Sequence, residues 1–175
     1  MNQHDTEQPK TVIDDKFDDY TKPQLFFRLA IAYADCSHQL FVAMLSGLLP
    51  QTFGHAQAGH FLFDHAIELF LKGAILRSTG KIEITHNLEP LYNKYRKLYC
   101  KEEYGFAARI AEAIRRNPAS PHSEFPRYPV DACGNIWDGY NAYTLETWLK
   151  EAEHLRSDLA HIIPKIDPLP PPALS

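Results

Sequence analysis

Between residues 60 and 95 the apolar positions describe a helix that is apolar almost all round, then a turn, then a second helix. One narrow polar row interrupts the first helix: His60, Asp64, Glu68 and Lys72, at successive four-residue spacings. A helix apolar on most of its circumference belongs inside a bundle. Polar groups on such a helix need partners, because an unpaired buried polar group is costly. Residues four apart are neighbours on a helix, so the row climbs one slowly rotating face. Two readings of it stand. It is a chain of i,i+4 pairs, with Glu68 N-terminal to Lys72 in the favoured order. Alternatively it lines a groove or a dimer seam, since Phe61, Ile67, Leu71 and Ile75 crowd it on both sides.

The remaining pattern is helical as well. A first helix is expected over residues 21–49, with Pro23 in its opening turn and Leu25, Leu29, Ala32, Cys36, Leu40, Ala43 and Leu48 as its apolar stripe. Residues 50–59 read as a loop. The polar-row helix is expected over residues 57–78, closed by Gly80 in a left-handed conformation. A third helix should open at Thr85 or Asn87 and run to about Cys100, and a fourth should span residues 102–116. A last helix over residues 143–163 carries Leu145, Trp148, Leu149, Ala152, Leu155, Leu159, Ile162 and Ile163 on one stripe. Residues 119–140 are rich in Pro, Gly and Ser, and a long irregular stretch of that kind is either functional or a packed lid. The expected class is all-α: an antiparallel up-and-down bundle of four to five helices over residues 20–163. An acidic flexible tail is expected over residues 1–19. A Pro-rich tail is expected over residues 164–175, where Pro164 should stop the last helix.

Composition narrows the function classes. The chain has 175 residues, 45% hydrophobic and 23% charged, which suits one domain with a real core. A formal net charge of -4 argues against non-specific DNA binding. No secretory pattern opens the sequence and no apolar run is long enough for a bilayer, so a cytoplasmic protein without a membrane partner is expected. Cys36, Cys100 and Cys133 have no metal-ligand spacing and read as reduced thiols.

HAIELFLKGAIL followed by THNLEPLYNKY resembles the middle of a HEPN domain, a helical family of eukaryotes and prokaryotes. The Glu-x-x-x-Lys of its second helix is matched by Glu68 and Lys72. Its following His-amide-Leu phrase is matched by His86, Asn87 and Leu88, and Pro126–Pro129 resembles a further family segment before the last helix. The resemblance implies a nucleotide- or RNA-associated module working as a homodimer, with no cofactor. In family members that are metal-independent ribonucleases of toxin or defence type, an Arg-x(4–6)-His motif lies at the dimer cleft. Here that motif would be Arg156 and His161. His161 would act on a ribose 2′-hydroxyl and Arg156 would stabilise the phosphorane charge, with Glu68, Lys72 and Arg127 shaping the groove. Arg115 and Arg116 also fit the spacing range of that motif, to His122.

The residues themselves also carry a plainer reading. At about 100° per residue, Arg156 falls beside the apolar stripe while His161 points almost opposite it. Arg156 then pairs with Glu153 or a carboxylate of another helix, and His161 is a surface histidine near a helix C-terminus. The rival function is accordingly a non-catalytic dimerisation or partner-docking module. A metal- or small-molecule-binding bundle using His60, Asp64 and Glu68 is a weaker third reading, since neither an HExxH phrase nor Cys-His ligand spacing is present. Lys94, Arg96, Lys97 and Lys101, interleaved with Tyr92, Tyr95, Tyr99 and Tyr104, either hold RNA or place tyrosines inward and lysines outward.

Overall fold

The structure, a computed structural model, describes residues 20–116 and 144–168. The expectations placed on residues 1–19 and 169–175, on Arg127, His122, Cys133 and the 119–140 segment lie outside those residues. The described residues form five α-helices and one 3-10 turn, with no strand among them. These are α1 (Lys22–Leu45), α2 (Phe53–Thr79), α3 (Leu88–Leu98), the 3-10 turn Glu102–Tyr104, α4 (Ala108–Arg116) and α5 (Leu145–Ile166).

Helix α2 is the central element, and every residue from Ala66 to Leu76 along it is buried. Its partner α1 runs antiparallel: Phe27 packs on Phe70 near one end, and the Ser37 hydroxyl donates to the Gly59 carbonyl at 2.9 Å near the other. Two glycines let the helices close. A Cβ on Gly73 would lie 2.8 Å from the Phe26 Cβ, and one on Gly59 would lie 2.6 Å from the Phe41 ring. Helix α5 is antiparallel to α1, with Gln24 beside Asp167 and Asp35 beside Arg156. It is therefore parallel to α2, as the contacts of Trp148 with His60 and of Asp167 with Arg77 also require. The short α3 and α4 close the remaining side, where the Phe70 ring meets Tyr95 and Phe106 edge-on and those two meet at a tilt.

The buried stripe of α1 differs from the expected one. Phe27, Ala30, Ala34, Ser37, Phe41 and Met44 face the core, whereas Leu29 is 44% exposed, Ala32 and Cys36 are exposed, and Leu48 lies beyond the helix. Helical spacing fixes a period but not a phase, and α1 carries two apolar rows. The row with the aromatic rings and the alanines is the one that fits against the glycines of α2.

Several boundaries also move. Helix α2 begins four residues early because the Thr52 hydroxyl accepts from the His55 amide and caps it, so residues 53–59 are helical rather than loop. Gly80 does end it, at φ 69°. Asn87 caps α3 through the Glu89 amide. The expected fourth helix is broken at Gly105, after the Tyr95 hydroxyl has taken the Tyr104 carbonyl at 2.6 Å. Pro164 does not stop α5, which runs on to Ile166 and closes with the Asp167 amide on the Ile163 carbonyl. So near the end, proline costs the helix one backbone bond without requiring it to unwind.

Candidate functional site

The polar row of α2 enters the bundle interior. Glu68 and Lys72 are each 7% exposed, and the Lys72 ammonium lies 2.9 Å from the Glu68 carboxylate. The same oxygen receives Nδ1 of His86, also at 2.9 Å, from the segment between α2 and α3. The His65 ring stands 3.7 Å from the other oxygen. Burial alone would raise the Glu68 pKa, but hydrogen bonds from His65 and Lys72 and the positive charge of Lys72 and His86 outweigh it, and the carboxyl is held at about 2. Glu68 is thus an ionised buried carboxylate pinned by cationic and imidazole partners. Of the expected chain of i,i+4 pairs, the Glu68–Lys72 step is present, in the interior. His86, with more than half of its side chain exposed, is the solvent-facing member of this group.

One and two turns earlier, the row is of a different character. His60 is 7% exposed and its ring meets the Phe41 and Trp148 rings edge-on; burial pushes its pKa down to about 3, so the imidazole is neutral. Asp64 is seated near two other carboxylates, Glu151 of α5 and Glu68. Burial first, then the charges of Glu151 and Glu68, push its pKa up to about 7. Glu151 is 1% exposed, the most deeply buried charged residue of the core, and sequence reasoning missed it. Its signal was its position, one turn from Trp148 and from Leu155 on the stripe of α5. Among the described residues no group of three or more His, Cys, Asp or Glu side chains is arranged to hold a metal ion. The row His60, Asp64 and Glu68 forms no such centre.

Arg156 and His161 occupy separate surroundings. The Arg156 Nε donates to Asp35 of α1 at 2.5 Å, and its guanidinium lies 3.5 Å from His38, which in turn faces Glu153 at 3.8 Å. This cluster borders a shallow groove of about 230 Å³ between α1 and α5, lined by Ile31, Ala34, Asp35, Arg156, Leu159 and Ala160. His161 projects to solvent elsewhere on α5, with its Nε2 2.5 Å from the Lys165 ammonium, which also donates to the Glu103 carbonyl. Within one chain the two side chains do not converge. The basic-aromatic cluster resolves in the same manner. Tyr95 is fully buried, Tyr92, Tyr99 and Tyr104 pack against the core, Lys97 and Lys101 are exposed, and Lys94 pairs with Glu83.

The arrangement defines an all-α bundle with a polar row in which Glu68 and Lys72 pair in the interior, and an Arg-carboxylate pair at the seam of α1 and α5. No family model, no curated protein and no solved structure matches the chain. The HEPN resemblance accordingly rests on the phrases around Glu68, Lys72 and His86. No helix among the described residues is long and apolar enough to cross a membrane.

Proposed function

We propose that this chain is a HEPN-like helical module that works by association, as a dimerisation or partner-docking unit, rather than by cutting RNA through its last helix. One observation carries the reading: the Arg156 guanidinium is engaged by Asp35 on the α1 side, while His161 stands apart beside Lys165. A general acid or base and the group that stabilises the developing charge must both lie within reach of one reacting group, and within one chain these two side chains have separate surroundings. The polar row supports the same reading, because Glu68 and Lys72 satisfy one another in the interior. The purified full chain, incubated with RNA in the presence of EDTA, should leave the RNA intact, and Arg156→Ala and His161→Ala should change nothing. Cleavage by the wild type that either substitution abolishes would overturn the reading.

The second reading is the metal-independent ribonuclease, in which Arg156 of one copy meets His161 of another. What favours it is that both side chains are exposed on the same helix, as a site shared by two copies requires. The same assay separates the two, since cleavage resisting EDTA and lost with His161→Ala is the signature of the ribonuclease.

A further inference from the structure

Helix α1 has a second apolar row that the bundle leaves outside. Leu25, Leu29, Ala32 and Cys36 step by four, three and four residues along the side opposite Phe27, Ala30, Ala34 and Phe41. Leu29 is 44% exposed, Ala32 and Cys36 are exposed, and Leu25 is half-buried. The helical neighbours of α1 among the described residues take its other faces. Helix α2 meets it through Phe27, Ser37 and Phe41, and α5 through Gln24, Asp35 and His38. Alternate steps of four and three are the seam spacing of a helix pair.

The charges beside this row select the occupant. Arg28 and Asp35 lie seven residues apart on the same flank of the row, one cationic and one anionic. In an antiparallel pair of identical helices, one flank meets the same flank of the partner, so a cation and an anion placed one heptad apart pair twice across the two-fold axis. The register that joins Arg28 to the partner's Asp35 also sets Leu29 against the partner's Ala32 and Leu25 against the partner's Cys36. Each seam layer then matches a large side chain with a small one. Arg28 lies at the rim, 4.5 Å over the Tyr20 ring and donating to the Tyr20 hydroxyl, and its five N–H donors allow a carboxylate beside the contacts it already makes. Asp35 would accept from Arg156 of its own chain and from the incoming guanidinium, as a carboxylate with two oxygens can.

We propose that α1 pairs antiparallel with the α1 of a second copy of this chain, Leu29 packing on Ala32 and Arg28 meeting Asp35 in both directions. The inference rests on the dimerisation form of the reading above, and it is tested without RNA. Sedimentation velocity on the full chain at micromolar concentration should find a dimer. Leu29→Glu, at an exposed position, should weaken that dimer roughly tenfold or more while helical circular dichroism stays unchanged. The register is read by Leu25→Cys, which under mild oxidation should give a covalent dimer that is lost with Cys36→Ser and kept with Cys100→Ser or Cys133→Ser. A monomer at all concentrations, or a dimer that survives Leu29→Glu and gives no link between positions 25 and 36, would overturn the inference. Neither result touches the absence of catalysis, which the RNA assay decides separately.

Discussion

A lysine and a glutamate one turn apart on a helix surface contribute a few tenths of a kcal/mol. Glu68 and Lys72 share that spacing but are removed from water, and there the loss of one partner leaves a buried charge exposed to its full desolvation cost. Lys72→Met should therefore destabilise the fold by about 3 kcal/mol, read as a fall in the urea midpoint, with His86 supplying only part of the lost compensation. A loss of about 0.5 kcal/mol or less would place the pair among ordinary surface pairs. Asp64 behaves in the opposite sense. Its folded pKa, about 7, lies above the unfolded value near 3.8, so its contribution is fully present below about pH 4 and declines as pH rises to about 7. Asp64→Asn should flatten that decline, making the variant's stability less dependent on pH between about 4 and 7 than the wild type's. Equal slopes in denaturation series across that range would remove the assignment. The row on α2 was legible because its spacing is local. Its partners were not, because His86 and Glu151 come from other elements, and spacing along one helix says nothing about which side chains arrive from across the core.

At the scale of the element, α1 shows where periodicity runs out. Two apolar rows fit one period, and the choice between them is made on α2, where Gly59 and Gly73 leave room for Phe41, Phe26 and Phe27. Gly73→Ala should test that choice. Helix propensity favours alanine by about 1 kcal/mol, yet the new Cβ would meet the Phe26 Cβ at 2.8 Å, an atom tied to backbone. Overpacking of this kind costs about 1–3 kcal/mol. The variant should melt below the wild type in calorimetry, and a higher melting point would mean that the helices have room to spare. The last helix was the most legible element, since Ala152, Leu155, Leu159, Ile162 and Ile163 are all buried as their stripe requires. Its end was not, because Pro164 falls in the final turn, where breaking the helix is unnecessary. The separation of α4 from its 3-10 turn follows from a tertiary bond, Tyr95 to Tyr104, to which no local pattern points.

At the scale of the molecule, the all-α class was legible from pattern alone, because every long apolar segment had helical spacing and none alternated. The packing order was not. That α5 lies along α1 depends on contacts such as Asp35 with Arg156, between residues far apart in the chain and set by shape and charge rather than by proximity. The same distance explains the site. Arg156 and His161 looked like a unit because their spacing resembles a family motif, and the bundle turns Arg156 toward Asp35 of α1 while His161 stands beside Lys165. One feature of this packing reaches beyond stability. The Gln24 side chain accepts from the Thr21 amide and donates to Asp167 and to the Pro168 carbonyl, while Arg77 holds Asp167 from α2 at 3.1 Å. The chain therefore enters and leaves the folded core at one corner, with the turn between α1 and α2 at the far end. A label, tether or added domain attached on either side of the core would hang from that corner.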